Sequence, residues 1–140
     1  MLSSKQRGLT LVELMVVVAV MAIIATVAYP LYTAQVQKSR RADAKIALET
    51  IAMAQERFYT VNGAYANILS TLQVSAPIQG GASDEGYYNV AVANPGGNTQ
   101  LFTATASATG VQASDTDCAS FTVNQQGVKT ATDGGGTNCW

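Results

Sequence analysis

The side chains able to do chemistry are few and scattered through these 140 residues. There is no histidine, which removes the commonest general base and the commonest metal ligand. The two cysteines, Cys118 and Cys139, are too far apart for a redox C-x-x-C pair and too few for a zinc site. No G-x-S-x-G elbow occurs, no phosphate-cradling glycine loop follows a strand, and Gly134 to Gly136 read as a terminal loop. Asp115 and Asp117, in "SDTDC", are two carboxylates without the ligand array of a calcium site, and Asp84-Glu85-Gly86 reads as a turn. The expectation is no catalytic residue, no bound metal and no cofactor.

Two charge groupings remain. Glu13 stands just inside the leading end of the apolar run "LTLVELMVVVAVMAIIATVAYP". A charge there costs roughly 2.5 to 3.5 kcal/mol on membrane-insertion scales, so it needs a partner or a task. Lys38, Arg40, Arg41 and Lys45 form a basic cluster able to meet DNA phosphates. With Asp43, Glu49 and Glu56 interspersed, the plainer reading is a solvated or subunit-pairing face. A net charge of −1 provides no overall basic field.

These residues sit on recognisable elements. Leu9 to Tyr32 is about 24 residues, long enough to span a bilayer. It also admits a cleaved secretory signal, with Lys5 and Arg7 as the basic region and a cut after Ala28, which would release a periplasmic binding module. Past Pro30, Val36, Ala44, Ala47, Leu48, Ile51, Ala54 and Phe58 recur at three- and four-residue steps, an amphipathic helix. Pro30 should bend the rod without necessarily ending it, so one helix is expected over residues 9–59. Tyr29 and Tyr32 read as an interfacial aromatic belt, and Phe58 as packing under a sheet. Counting Lys and Arg alone would put the C-terminal part in the cytoplasm. The basic N-terminus and the cysteines point to export instead: paired in an oxidising compartment, Cys118 and Cys139 would close about 22 residues, worth on the order of 3 kcal/mol. Two buried thiols are the alternative.

Residues 60–86 read as a loop with a helical turn near Ile68 to Leu72, broken by Pro77 and Gly80-Gly81. Four strand-like runs follow, Tyr87 to Ala93, Leu101 to Ala108, Ala119 to Asn124 and Val128 to Thr132, with turn-rich breaks between them. Short links imply an antiparallel meander with one face on the helix. The fold class is therefore α+β.

Laid out this way, the N-terminus resembles that of a type IV prepilin: "MLSSKQRG", then "LTLVELMVVVAVMAI". The resemblance extends downstream through "KSRRADAKIALETIAMAQERFYTVNGAYA" and "DCASFTVNQQGVKTATDGGGTNCW", which look like the PilE-type, often minor, pilins of the type IVa group. It implies the pilin fold, a long kinked helix packed on a four-stranded antiparallel sheet. It implies a leader at residues 1–8, a membrane or filament-core half at 9–32, an amphipathic half at 33–59, an αβ loop at 60–86, and a sheet with a disulfide-closed end at 87–140. Prepilin peptidase would cut between Gly8 and Leu9, with N-methylation of Leu9. Glu13, four residues on along the same helix face, would then neutralise the new amine within or between chains. Pro30 falls where such pilins tend to have a proline. The partners implied are other pilin subunits, the peptidase, an inner-membrane assembly platform and the membrane before assembly, with DNA as a further candidate for Lys38, Arg40 and Arg41. The chain would await assembly in the inner membrane, its C-terminal domain periplasmic, and end in an extracellular pilus serving adhesion, motility or DNA uptake. A type II secretion pseudopilin is the related alternative.

Overall fold

The computed structural model describes residues 8–133 and 139–140. Lys5 and Arg7 of the expected leader, and the expected loop at Gly134 to Gly136, lie outside the described residues. The chain divides into two compact units, Met1–Val36 and Gln37–Trp140. Helix α1, Leu11–Asn62, contributes to both and continues through Pro30.

In the first unit, Gly8 to Tyr32 are all exposed. One window of this helix has mean hydropathy 2.7 with nothing buried, long and apolar enough to cross a membrane. Because Pro30 has no N–H, the carbonyl of Thr26 loses its helical donor. Hydroxyls bond nearby carbonyls, with Thr26 donating to Ile23 and Thr33 to Pro30 at 2.7 and 2.9 Å, which keeps both polar groups inside the helix surface.

The second unit is built around the other periodicity. Ala44, Ala47, Leu48, Ile51 and Ala54 of α1 are buried with the inward residues of a four-stranded sheet. Its strands, β1 (Tyr88–Ala93), β2 (Thr103–Ala108), β3 (Cys118–Asn124) and β4 (Lys129–Asp133), form an antiparallel meander in sequence order. Small and large side chains alternate across the inner face: Ala106 opposes Phe121, and Ala104 opposes Val123. The outer face carries hydroxyl rows such as Thr105, Thr122 and Thr130, cross-strand neighbours in register. Between β3 and β4, Asn124 Oδ1 accepts the N–H groups of Gln126 and Val128, and Gly127 takes φ +71°, a conformation that favours glycine.

Element ends differ from expectation in informative ways. Pro77 does not break structure but opens a short helix, α2 (Ala76–Gln79), because proline is tolerated in a first turn, where its missing N–H would be unpaired. Asp43 is not a surface charge. It is buried, accepts the Ser83 hydroxyl at 2.5 Å and the Glu85 and Tyr87 N–H groups at 3.2 and 3.3 Å, and so fixes the turn before β1. Gln55, fully buried, meets Ala66 like a strand partner, donating to its carbonyl at 2.7 Å and accepting its N–H at 2.9 Å. Cys118 and Cys139 are joined in a disulfide that ties the chain end to β3. Trp140 then lies edge-on to Phe121 and donates to the Thr130 carbonyl at 2.7 Å.

Tyr65 stacks between Tyr59 and Phe102, and its hydroxyl donates to Glu56 at 2.9 Å. Burial, with help from that hydrogen bond, pushes its pKa up to about 12. The fold therefore favours the neutral phenol, a contribution complete below about pH 10 and lost as pH rises towards 12. Denaturant unfolding across this window should show stability falling less steeply in Tyr65→Phe than in the parent chain.

Candidate functional site

The first site is the start of α1. Thr10 is its N-cap: the hydroxyl accepts the Glu13 N–H at 3.2 Å, and its carbonyl accepts the Leu14 N–H at 3.2 Å. Thr10 and Glu13 thus have the Thr-x-x-Glu spacing of a capping box. This corrects the geometry expected from sequence. Leu9 precedes the helix, so it and Glu13 do not share a helix face as i and i+4 residues. Glu13 instead lies in the first turn, where a carboxylate opposes the positive end of the helix dipole. Leu9 and Glu13 are both exposed, and a side chain at Gly8 would meet nothing within 4 Å.

The second site is the basic cluster, which the structure splits. Arg41 is not part of a solvated face: its guanidinium grips Asp115 through two 2.7 Å hydrogen bonds. The Asp115 side chain is 1 % exposed and that of Arg41 14 %. Asp115 is also met by Gln112, whose Nε2 reaches the Gln37 carbonyl and the Tyr88 hydroxyl as well, at 3.0 to 3.2 Å. The amide must face this way, since turning it would set its oxygen against the Asp115 carboxylate and the Gln37 carbonyl; Gln112 Oε1 is left buried without a partner among the described residues. The Asp115 hydrogen bond raises the Arg41 pKa further, with burial opposing. Arg40 lies over the Tyr87 ring, 4.7 Å from its centroid, and Lys38 is exposed. Burial, reinforced by Arg41, lowers the Lys45 pKa. The structure therefore leaves Lys38 as the exposed charge of the cluster, with Arg40 and Lys45 half-buried and outside any ion pair among the described residues. Asp115 is committed to Arg41, while Asp117 is exposed.

Tyr29 and Tyr32 are each 70 % exposed. Phe58 packs against the core of the second unit, as its spacing suggested.

Residues 30–122 match a family model described as "Type IV minor pilin ComP, DNA uptake sequence receptor". The chain belongs to this minor-pilin family. Residues 3–29 match the prokaryotic N-terminal methylation motif, a stretch containing Gly8, Leu9 and Glu13. The pilin is 31 % identical to the fimbrial protein EcpC of Eikenella corrodens over 79 % of its own chain and 69 % of that protein. It is 32 % identical to the type IV major pilin PilA of Myxococcus xanthus over 49 % of its chain and 31 % of PilA. Among solved structures, a type IV pilin from Shewanella oneidensis matches with TM-score 0.52 and 28 % identity, over 74 % of this chain and 97 % of that one. The minor pilin PilV of Neisseria meningitidis shares the fold, with TM-score 0.52 and 19 % identity, over 74 % and 93 % of the two chains. The pilin is thus a structural pilus subunit that assembles with other pilin subunits. Its apolar helix and methylation motif are those of a membrane-anchored pilin that enters an extracellular pilus.

Removing Asp115 strands a partly buried guanidinium. Asp115→Ala should cost about 3 to 5 kcal/mol in urea unfolding, and Arg41→Ala/Asp115→Ala should cost less than the sum of the single changes.

Proposed function

We propose that this minor pilin is cut between Gly8 and Leu9 by prepilin peptidase, N-methylated at Leu9, and drawn by an inner-membrane assembly platform into the filament. Glu13 then neutralises the Leu9 amine of a neighbouring subunit. The observation that carries this reading is the N-terminus of α1: a threonine cap and a first-turn carboxylate head a helix whose apolar side chains up to Tyr32 are all exposed. The helix dipole disfavours an amine at its N-terminal end, and a carboxylate in the first turn offsets that cost. In a water-poor bundle both charges need each other, and their pairing fixes an axial offset more than it adds net stability. Assembly itself must draw on packing, because lipid tails are as apolar as the neighbouring helices. Pro30 leaves the Thr26 carbonyl without its helical donor, a point at which the helix can bend or loosen within the bundle. The pilin has no chemistry of its own in this scheme; it is a building element.

Processing and assembly separate cleanly by experiment. Glu13→Gln should leave the mature N-terminus at Leu9 by mass spectrometry while pilus incorporation falls about tenfold or more. Undiminished incorporation contradicts the pairing.

A second role, contact with DNA, is favoured by the match of residues 30–122 to a DNA-uptake receptor family. Exposed Lys38 and half-buried Arg40 and Lys45 are the candidates; Arg41 is spent on Asp115. Two or three phosphate contacts give a slope of about −2 to −3 in log affinity against log salt. Lys38→Glu/Arg40→Glu should abolish filter retention of DNA with the pilus intact, whereas a slope near zero contradicts the role.

A further inference from the structure

The second unit contains a cleft of about 310 Å³ between the end of α1 and the loop around Thr71 to Gln73. One wall is apolar, formed by Phe58 and by Val61, which is 83 % exposed. The other side is polar. Arg57 lines the cleft and has no carboxylate partner among the described residues, where Arg41 and Lys129 hold the ion pairs. Gln73 has an amide with no hydrogen bond among the described residues. Asn62 donates to the Phe58 carbonyl at 2.8 Å, which leaves its amide oxygen open, and Thr71 donates to the Ile68 carbonyl at 2.8 Å, which leaves its hydroxyl lone pairs open.

A ligand for this cleft must be compact, since the volume is at the low end for small-molecule sites. It must carry one negative charge matched to a single planar guanidinium, which pairs well with a carboxylate. It must also offer an apolar side to Phe58 and Val61, and hydroxyls to an amide, a carbonyl-type acceptor and a hydroxyl. An acidic pyranose meets all three demands, with its C–H face, its ring hydroxyls and its carboxylate. A duplex is far too wide, and bare phosphate leaves the apolar wall unused. We propose that the cleft binds one hexuronate residue of an acidic polysaccharide, the carboxylate on Arg57 and the ring against Phe58 and Val61. This site is separate from the Lys38 and Arg40 surface and does not depend on the DNA role.

The test is titration of the full-length pilin in detergent micelles with trigalacturonate, neutral trigalactose, inorganic phosphate and a short DNA duplex. Trigalacturonate should bind, with trigalactose about tenfold weaker or more, the expected loss of a charge-assisted contact. Arg57→Gln should lose about tenfold for trigalacturonate, Arg57→Lys less, and Gln73→Ala a smaller amount, with unfolding midpoints unchanged. Equal binding of the neutral sugar overturns the proposal, as does an Arg57→Gln affinity within about twofold of the parent. Stronger binding of phosphate or duplex that Arg57→Gln removes reassigns the cleft to phosphates and overturns it too.

Discussion

A single carboxylate in an otherwise uncharged apolar stretch of helix, Leu11 to Val36, is the constraint on which the first unit depends. Without Glu13 the segment would be an ordinary span, content in lipid. With it, the helix carries a cost of a few kcal/mol wherever the charge is far from water or a counter-charge. Thr10 sets where that charge sits: by capping α1 it makes Glu13 a first-turn residue rather than an interior one. A carboxylate so placed tolerates the membrane surface through the helix dipole, and is positioned to meet an amine one or two residues outside the helix.

The second unit solves a different problem. Its core is small and rich in alanine, from Ala44 and Ala47 on the helix to Ala104 and Ala106 on β2. A core of that size leaves loops under-anchored. Polar groups take up the task, each from a fixed element to a loop: Asp43 to the turn at Ser83 to Tyr87, Gln55 to Ala66, Arg41 to Asp115. The disulfide and Trp140 do the same for the chain end. One consequence is functional. Of the four clustered cations, Arg41 is taken by the fold, so the basic surface is weaker than the sequence suggests.

What could be read from the sequence follows the range of the forces involved. The apolar run, the helical spacing of Leu48, Ile51 and Ala54, and the four strand segments are local patterns, and the element types match. The antiparallel meander followed from short links. Long-range polar pairs were not legible: nothing near Arg41 in sequence announces Asp115, and Asp43 beside Arg40 and Arg41 looks like surface charge until Ser83 folds onto it. Pro77 departs from its expected breaking role because proline ends a helix or begins one depending on its position, which composition does not reveal. The Thr10 to Glu13 spacing was visible as a capping box, yet the i to i+4 reading of Leu9 and Glu13 obscured it.

The central claim is that the Leu9 amine and Glu13 meet across subunits. Filaments assembled from a mixture of two preparations, one labelled with ¹⁵N at Leu9 and the other with ¹³C at Glu13, test it directly by dipolar recoupling in solid-state NMR. The account predicts a cross-peak between differently labelled subunits, placing amine and carboxylate within about 4 to 6 Å. Well-ordered filaments with no such cross-peak, and a Glu13 carboxyl shift characteristic of the protonated acid, would contradict it.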